Sequence, residues 1–370
     1  MNILHVITHG GWAGSESIAA GIANEQAIRG HEVSVILRRH EAFKTKDILK
    51  KFHTSINVFW VEQKETHPNN QINTLLKNDF FVKKLSEVDI FHAHLPYGCL
   101  LGKLLRERFT TKYKICVSMH VRYHPLYYFA DKLFTVAKWQ IQEVPKDFTG
   151  EVFVIENFLC NKENNNDKKL KLFKRKFHIT DDYKYIIYIG RLDLVKGADV
   201  LIRAFNKAKL ENYKLIVIGD GSEARSLHTM ASENVVFTGK ILDASFALEV
   251  ADICIAPSRF ESFGLVLLEA VNAGKRVIAT DIPSFKEILG SDDYLFENEN
   301  INSLSQKLIS YANNPSIGYA DSFINEKFSL TRSLDKLEIA YSTTTALDED
   351  QSGIDDIEVS VDELEVAYNV

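Results

Sequence analysis

The sequence predicts an α/β protein of two domains, each a parallel β-sheet with helices on both faces. Two observations predict it. The chain has 370 residues, more than a single hydrophobic core usually serves, so its length favours two domains. Short, continuously apolar segments alternate with helical patterns in both halves of the chain, and this alternation is typical of parallel strands that are buried on both faces.

The first half contains seven short apolar segments that predict strands. They span residues 3–8, 33–37, 58–61, 90–93, 115–118, 133–136 and 152–155. A glycine-rich turn over 9–14 leads from the first strand into a helix predicted over 15–29, which Gly30 ends. These elements predict a first domain over residues 1–160.

The second half repeats the pattern after an Asn- and Lys-rich linker over 161–176. Its predicted strands span 185–189, 215–218, 235–237, 253–256, 277–279 and 294–296, and its first helix spans 198–207. We therefore expect a second domain over 161–328, a last helix within 329–346 and an acidic, mobile tail over 347–370. Ligands of such folds bind at the carboxyl ends of strands, so a cleft between the domains is the expected site.

The charge of the chain is unevenly spread. The net charge is −6, but the tail 347–370 holds nine acids and no Lys or Arg. The rest of the chain has 41 acids and 44 bases, a net charge of +3. This mildly basic body is compatible with phosphate ligands or an anionic membrane surface, and it is too weakly charged to indicate nucleic acid binding.

The cysteines and the N-terminus indicate a cytoplasmic protein. The four cysteines, Cys99, Cys116, Cys160 and Cys254, form no C-x-x-C pair, and we expect buried thiols in a reducing compartment. The first residues lack the basic region of a signal peptide. No apolar segment approaches the roughly 18 residues of a membrane span.

The segment 257–270 gives the strongest indication of a binding site. It follows a predicted strand, and Ser262 is a suitable N-cap for a helix that would begin at Phe263. The free amides of Phe263, Gly264 and Leu265 would then form an anion site aided by the helix dipole. Gly264 would let a phosphate approach closely, because it has no side chain.

Two glutamates frame that helix start. Glu261 lies just before it and can face whatever the phosphate carries. Glu269 lies within the helix, and its side chain leans back toward the N-terminus, where a carboxylate could accept both hydroxyls of a ribose. The alternative is that both are ordinary surface acids.

A second basic segment, 190–197, follows the first strand of the second domain. Arg191 and Lys196 lie there at a carboxyl edge, between Gly190 and Gly197. An arginine fork and a lysine point charge suit a diphosphate. The alternative is an exposed basic loop.

The first domain offers weaker indications. The turn that contains Gly11 and Gly14 is not a full G-x-G-x-x-G pattern, yet it places backbone amides at the cleft. His92, His94 and His120 lie at strand ends, and His120, directly after its strand, has the better functional claim. We expect no metal site, because no Asp or Cys lies at ligand spacing.

Together these segments resemble the GT-B glycosyltransferases of the large retaining family 4, the glycosyl transferases group 1. The resemblance spans about residues 1–343. It depends on the segments 10–16, 91–94, 117–120, 190–197 and 219–221, and above all on Glu261-x7-Glu269. It implies two Rossmann-like domains that face each other across a cleft, with a nucleotide sugar (UDP-, GDP- or ADP-linked) as the donor substrate and no cofactor.

The resemblance also implies roles for matching residues. Arg191 and Lys196 would bind the diphosphate, and Glu261 would hold donor-sugar hydroxyls. His120 would line the sugar site. Further donor contacts would come from Glu269 at the ribose, from the amides of Phe263 to Leu265 with Ser262 as the cap, from Gly190, from the turn of Gly11 and Gly14, and from Lys240 and Ile241 beside the base.

The implied reaction needs neither a metal nor a strong protein base. Cations and helix amides would neutralise the departing diphosphate, and an acceptor hydroxyl would attack with retention. The sequence departs from the family at 156–159, where Asn157 matches but Phe158 replaces the usual glycine, and the acidic tail has no counterpart. Neither departure touches the expected donor site.

Other functions on the same fold stay open. A sugar-nucleotide epimerase would not need an acceptor groove, and a non-catalytic nucleotide-sugar-binding protein would not need Arg191, Lys196 and Glu261 together. An NAD-dependent oxidoreductase is disfavoured, because Arg38 and Arg39 stand where a ribose-binding acid would follow the second strand.

The acceptor is expected on the first domain and would be a glycan or a lipid-linked glycan. Tyr123, Tyr127, Tyr128 and Phe129 flank a proline close to Arg and Lys residues. Exposed, they would suit weak contact with the inner face of a membrane. The alternative is a packed lid over the sugar site.

Overall fold

A computed structural model of the protein describes residues 1–8, 12–41, 44–159, 166–318 and 324–343. The predicted acidic tail, Gly11, Cys160 and residues 161–165 of the linker lie outside the described residues. Two parallel sheets, each with helices packed on it, account for the described chain. The predicted two-domain α/β architecture is confirmed.

The first sheet has seven strands in the order β3-β2-β1-β4-β5-β6-β7. The strands are β1 Asn2–Ile7, β2 Glu32–Arg38, β3 Asn57–Val61, β4 Ile90–Ala93, β5 Lys114–Met119, β6 Lys132–Thr135 and β7 Glu151–Val154. The helices are α1 Gly14–Ile28, α2 Thr45–Leu49, α3 Pro68–Leu75, α4 Asp79–Ser86 and α5 Pro96–Phe109. The five inner strands are almost wholly buried, as their apolar sequences predict, and the edge strands β3 and β7 are partly exposed.

The second sheet has six strands in the order β10-β9-β8-β11-β12-β13. The strands are β8 Lys184–Ile189, β9 Tyr213–Ile218, β10 Val235–Gly239, β11 Ile253–Ala256, β12 Arg276–Thr280 and β13 Leu295–Phe296. The helices are α6 Asn166–Lys176, α7 Ala198–Ala208, α8 Ala224–Met230, α9 Leu265–Asn272, α10 Pro283–Leu289, α11 Ile301–Asn313, α12 Ile324–Lys327 and α13 Leu330–Ser342.

Both sheets reverse their strand order at one point, between β1 and β4 in the first and between β8 and β11 in the second. Helices leave the sheet to opposite sides at such a point, and a crevice opens beyond the carboxyl ends of the two strands. The loops after β1, β4, β8 and β11 are therefore the ones that the fold aims at a ligand. The loops after β8 and β11 are the segments 190–197 and 257–264 that the sequence singles out.

The last helix, α13, packs on the first domain. The sequence predicted the helix but not this packing. Leu334, Leu337 and Tyr341 pack with Ile3 and Phe134 in one apolar cluster. Beside it, the ammonium of Lys132, almost wholly buried, donates to the carbonyl oxygens of Ala340 (2.5 Å) and Thr343 (2.6 Å) and faces Glu151 at 3.1 Å. The C-terminal helix thus belongs structurally to the N-terminal sheet.

The described cysteines, Cys99, Cys116 and Cys254, are buried and free, as predicted. Burial raises the pKa of each thiol, that of Cys254 to about 12, so all three stay as neutral thiols. Among the described residues, no helix is long and apolar enough to cross a membrane.

Candidate active site

The loop after β8 is held by tight backbone packing. The Leu192 amide donates to the Asp220 carbonyl at 3.0 Å. A Cβ added to Gly219 would stand 1.8 Å from the Gly190 carbonyl oxygen, and φ at Gly219 is +153°. Only glycine fits there. The Gly-Asp-Gly segment therefore serves to seat the loop that carries Arg191.

Lys196 is fixed by the turn around it. Asp193 Oδ1 accepts from the Lys196 amide at 3.1 Å and caps a short 3₁₀ turn over Leu194–Lys196. Gly197 follows with φ +68°, and a Cβ on it would lie 2.0 Å from the carbonyl oxygen of Pro257. This close approach brings the loop after β8 against the loop after β11.

These two loops meet in an ion pair. The Lys196 ammonium lies 2.6 Å from Glu261 Oε1, and the Ser258 hydroxyl donates to the same oxygen at 3.2 Å. Both charged side chains are only about one-fifth exposed, 22% for Lys196 and 21% for Glu261. The structure thus brings together two of the residues that the sequence predicted from segments 65 positions apart.

Arg191 is placed differently. Its carbonyl oxygen accepts from the Tyr188 hydroxyl at 2.7 Å, which fixes the backbone. Its side chain is 60% exposed, and its Nε lies 3.2 Å from Asp193 Oδ2. The guanidinium is therefore anchored at its root and has room to turn toward a ligand.

A neighbouring arginine, Arg259, holds the loops together, and the sequence did not single it out. Its guanidinium binds Asp199 with two bonds (2.8 and 3.0 Å), Glu299 at 2.7 Å and the Leu194 carbonyl at 2.5 Å. Burial alone would raise the pKa of Asp199, but hydrogen bonds from Arg259 hold that pKa below its usual value. The four hydrogen bonds of Arg259 reach residues 40 to 65 positions away in the sequence, so no spacing pattern could reveal them.

The helix predicted to begin at Phe263 begins two residues later, at Leu265. Ser262 is not the N-cap, because Gly264 holds that position with φ +111° and no side-chain cap. A Cβ on Gly264 would meet the Phe285 ring at 2.5 Å. Gly264 is thus needed for its backbone angle and for packing on α10, and its contact with a phosphate stays a prediction.

The amides ahead of the first helical hydrogen bond are therefore those of Leu265 and Val266, because Leu267 is the first to donate, to Gly264 O at 3.1 Å. Of the predicted trio, only Leu265 lies at the helix start. Opposite it stands Gly14, the first residue of α1, where a Cβ would approach Leu265 Cδ1 to 2.8 Å. The first turns of α1 and α9 thus meet between the two sheets.

The remaining predicted donor contacts lie along the same edge of the second sheet. Glu269 is partly buried in α9, and its charge adds to the burial that raises the pKa of Cys254 on β11. Lys240 and Ile241 follow β10, and the Gly219 amide bonds the Gly239 carbonyl at 3.1 Å. The carboxyl ends of β8, β9 and β10 are therefore adjacent, while the roles of these residues stay predictions.

The first sheet presents a chain of imidazoles at the facing edge. His120 Nε2 lies 3.3 Å from His94 Nδ1, and His94 Nε2 lies 2.9 Å from His5 Nδ1. His92 stacks on His94 with ring centroids 4.3 Å apart. The sequence singled out all of these except His5, which pairs with His92 across β1 and β4. Strand order was needed to find it.

Burial holds these rings neutral. It lowers the pKa of His5 and of His120 to about 4. Burial also lowers the pKa values of His92 and His94 well below their usual value, and the neighbouring histidines add to this effect. A buried ring cannot keep a proton without a negative partner. The chain of imidazoles at the ends of β4 and β5 therefore carries no charge near pH 7.

Three of these histidines are close enough to be considered as metal ligands. The ring nitrogens of His5, His92 and His94 lie within 4.8 Å of one another. His5 Nδ1 and His94 Nε2, however, stand 2.9 Å apart, whereas two nitrogens on one tetrahedral zinc lie about 3.3 Å apart for bonds of about 2.0–2.1 Å. The spacing fits a direct hydrogen bond, and the expectation of no metal stays a prediction.

The aromatic stretch after His120 is packed rather than exposed. Tyr127 is wholly buried, and Tyr123 and Phe129 pack against the core of the first domain. Further along, the Trp139 indole donates to the Ser262 carbonyl at 3.1 Å. The aromatic side chains of 123–129 are therefore packed on the first domain and do not offer the exposed surface expected for membrane contact, and Trp139 contacts the second domain.

That contact also reaches the loop of Glu261. Arg122 lies over the ring of Phe260 at 4.1 Å, and the Trp139 ring meets Phe260 edge-on at 5.7 Å. The amide of Lys138 donates to Glu287 on α10 at 3.0 Å. Arg122 and Trp139 therefore pack against the loop that precedes α9, and Lys138 binds α10 beside it.

Known proteins with this geometry identify the architecture. Among solved structures, the Anabaena protein HepE, crystallised in complex with UDP and glucose, has a TM-score of 0.74 at 19% identity and covers 93% of this chain and 100% of its own. The fold is GT-B. A GT-B protein carries two Rossmann-like domains, which agrees with the two sheets seen here.

Sequence relatives agree with that fold. Residues 171–328 match the family model of the glycosyl transferases group 1. An uncharacterized glycosyltransferase of Methanocaldococcus jannaschii is 26% identical over 306 residues, which are 73% of this chain and 77% of that protein. The O-antigen biosynthesis glycosyltransferase WclY of Escherichia coli is 25% identical over 292 residues, 70% and 80% of the two chains. Together the findings support a GT-B glycosyltransferase.

Proposed function

We propose that the protein is a retaining glycosyltransferase that moves a sugar from a nucleoside-diphosphate sugar to a hydroxyl of a glycan or glycolipid. The observation that carries this proposal is the ion pair of Lys196 and Glu261, 2.6 Å apart, in the cleft-facing loops that also hold Arg191 and the start of α9. A cation, a carboxylate and free helix amides are what a sugar diphosphate needs at its bridging bond.

The diphosphate would lie between Arg191, Lys196 and the amides of Leu265 and Val266. Charge develops on it as the bond from the sugar C1 to the phosphate oxygen breaks, and fixed cations stabilise that charge most in the transition state. Because Lys196 already contacts Glu261, a phosphate that binds Lys196 would stand beside this carboxylate. Glu261 would then be in reach of the sugar hydroxyls.

The acceptor hydroxyl oxygen would form the new bond to C1 on the face that the diphosphate leaves, and its proton would pass to the departing phosphate oxygen. His120, from the first domain, would line the sugar site. Glu269 would hold the ribose, and Lys240 and Ile241 would border the base. The reaction would need no metal, because Arg191, Lys196 and the helix amides neutralise the leaving group.

The acceptor belongs, in this proposal, to surface polysaccharide or lipid-linked oligosaccharide synthesis on the cytoplasmic side of a membrane. The O-antigen name of the Escherichia coli relative supports this choice. Peripheral contact with the membrane would then depend only on the net positive charge of residues 1–346. Co-sedimentation with anionic and neutral vesicles, with and without residues 347–370, tests it, and the absence of binding to anionic vesicles at low salt would leave a non-membrane acceptor.

A donor screen tests the function itself. UDP-, GDP- and ADP-sugars are compared by thermal shift, and the stabilising donor is then assayed for sugar release with and without acceptor glycans. Transfer that rises with acceptor, with the anomeric configuration kept in the product, supports the proposal. Conversion of one nucleotide sugar into another would indicate the epimerase, and binding without turnover would indicate a non-catalytic protein.

A further inference from the structure

The imidazole chain of the first domain ends inside the protein on an amide. His120 contacts His94 (3.3 Å), His94 contacts His5 (2.9 Å), and His5 Nε2 lies 2.7 Å from the Oε1 of Gln26 on α1. Gln26 and His5 are both wholly buried. The chain therefore links the edge of the cleft to a side chain that has no access to solvent.

Each link fixes the proton of the next ring. A neutral imidazole has one N–H and one acceptor nitrogen. Because an amide oxygen only accepts, His5 must donate from Nε2 and accept at Nδ1. His94 must then donate from Nε2 and accept at Nδ1, and His120 must donate from Nε2. This assignment follows when the Gln26 oxygen faces His5 at 2.7 Å and the rings are neutral, and burial, which lowers their pKa values, keeps them neutral.

The other end of the Gln26 amide joins a second branch of the network. Its Nε2 donates to the Tyr341 hydroxyl at 3.4 Å, and that hydroxyl lies 2.7 Å from His92 Nδ1. His92 Nε2 in turn reaches the Ser118 hydroxyl at 2.8 Å. Turning the amide over would reverse each bond from His5 to His120, because a neutral ring has one donor and one acceptor, so the Gln26 side chain decides the polarity of the imidazole chain.

We propose that Gln26, His5 and His94 are positioning residues that hold His120 as its Nε2–H tautomer, which leaves Nδ1 of His120 as a hydrogen-bond acceptor at the carboxyl edge of β5. In the proposed glycosyltransferase, on which the ligand part of this inference depends, that nitrogen accepts from a hydroxyl of the donor sugar. Enforcing one tautomer gives the site a fixed preference for a hydroxyl donor.

The protonation state of each ring can be read directly. The full-length protein is labelled with ¹⁵N-histidine, and long-range proton–nitrogen spectra at pH 7 distinguish the two neutral tautomers from the charged ring. Single His→Asn variants assign the signals. We expect His5, His94 and His120 each with the proton on Nε2. A proton on Nδ1 of His120, or a doubly protonated ring in the chain, would overturn the proposal.

Two substitutions of Gln26 test whether this side chain determines the tautomer of His120. Gln26→Glu keeps an acceptor toward His5 and should keep the Nε2–H signal of His120. Gln26→Leu removes the acceptor, and the His120 signals should shift toward the average of two exchanging tautomers. His178→Asn is the control, because His178 is exposed in the second domain at φ +51°, which asparagine tolerates. An unchanged His120 spectrum in folded Gln26→Leu would contradict the assigned role.

Activity gives a second readout. With UDP-glucose as the probe, Gln26→Leu should lower sugar release about three- to tenfold, the scale of one neutral hydrogen bond, while UDP affinity stays unchanged. The spectra need neither donor nor acceptor. A protein with the expected tautomers and no transfer activity would therefore refute the proposed function and leave the positioning role standing.

Discussion

The two sheet edges that face each other in this protein differ in the charge of the side chains that they carry. The edge of the second domain is ionic, since Lys196, Glu261 and Arg259 make short charged contacts there. The imidazole chain of the first domain forms a neutral edge, since burial lowers the pKa values of His5 and His120 to about 4. The ionic contacts of the second domain thus face an uncharged row of rings.

The difference matches the two parts of the proposed donor. A diphosphate gains charge as its bond to the sugar breaks, so fixed cations stabilise the transition state. A sugar carries only hydroxyls, and neutral imidazoles can bond them without attracting stray anions. Two folds of similar topology are thus specialised by the side chains at their carboxyl edges.

Removing a cation from the ionic edge should have the largest effect. Arg191→Ala and Lys196→Ala should each lower kcat/KM by roughly 10²–10³-fold, the scale for one transition-state charge partner, and the double variant should lose less than the product. Arg203→Ala, an exposed arginine on α7, is the matched control. Near-normal turnover in either folded single variant would show that the replaced cation does not stabilise the diphosphate.

Changing the two glutamates should separate nucleotide from sugar. Glu269→Gln should weaken binding of the free nucleoside diphosphate by roughly 10- to 100-fold, since a charged acceptor leaves the ribose. Glu261→Gln should leave that affinity almost unchanged and impair donor-sugar binding or transfer. Calorimetry with the nucleotide and the nucleotide sugar measures both, and equal losses for both ligands in both variants would show the roles to be wrongly assigned.

The neutral edge should make stability fall in mild acid. His5 has a folded pKa of about 4, below the 6.5 of an unfolded histidine. Below pH 6.5 the unfolded chain therefore takes up the proton first, and the free energy of unfolding falls down to about pH 4. The slope from His5 is about 1.4 kcal/mol per pH unit, or tenfold in the unfolding equilibrium.

Denaturant titrations at several pH values between 4 and 7 measure this slope. His5→Asn should reduce the slope by about 1.4 kcal/mol per pH unit, which corresponds to the uptake of one proton. Ile3→Val, beside His5 on β1 and equally buried, should lower stability without changing the slope. If His5→Asn keeps the wild-type slope, His5 is not the neutral group described here.

Removing metal ions should leave turnover unchanged, the smallest effect expected here. The ionic edge supplies Arg191, Lys196 and helix amides where other enzymes use a divalent ion. Turnover should therefore persist in excess EDTA. Abolition by the chelator with rescue by Mg²⁺ or Mn²⁺ would show that protein cations alone do not neutralise the diphosphate.

Much of the fold could be predicted from the sequence, because its strands are buried on both faces and read as short apolar segments. Strands β4 and β11 match their predicted residues, and others differ by one or two residues at an end. That Lys196 and Glu261 lie at one edge of the second sheet could be predicted for the same reason. Parallel strands deliver their following loops to one edge, so residues after strands converge.

Tertiary structure alone decided the rest. His5 joins the imidazole chain only because β1 lies beside β4, and α13 returns to the first domain only because its apolar face fits there. The start of α9 moves to Leu265 because Phe285 fills the space beside Gly264, where only a glycine at positive φ can pass. The sequence by itself determined which segments form strands and which loops reach the cleft, since those follow from local pattern. Which side chains meet there depends on packing between residues far apart in the chain, and no local pattern carries that information.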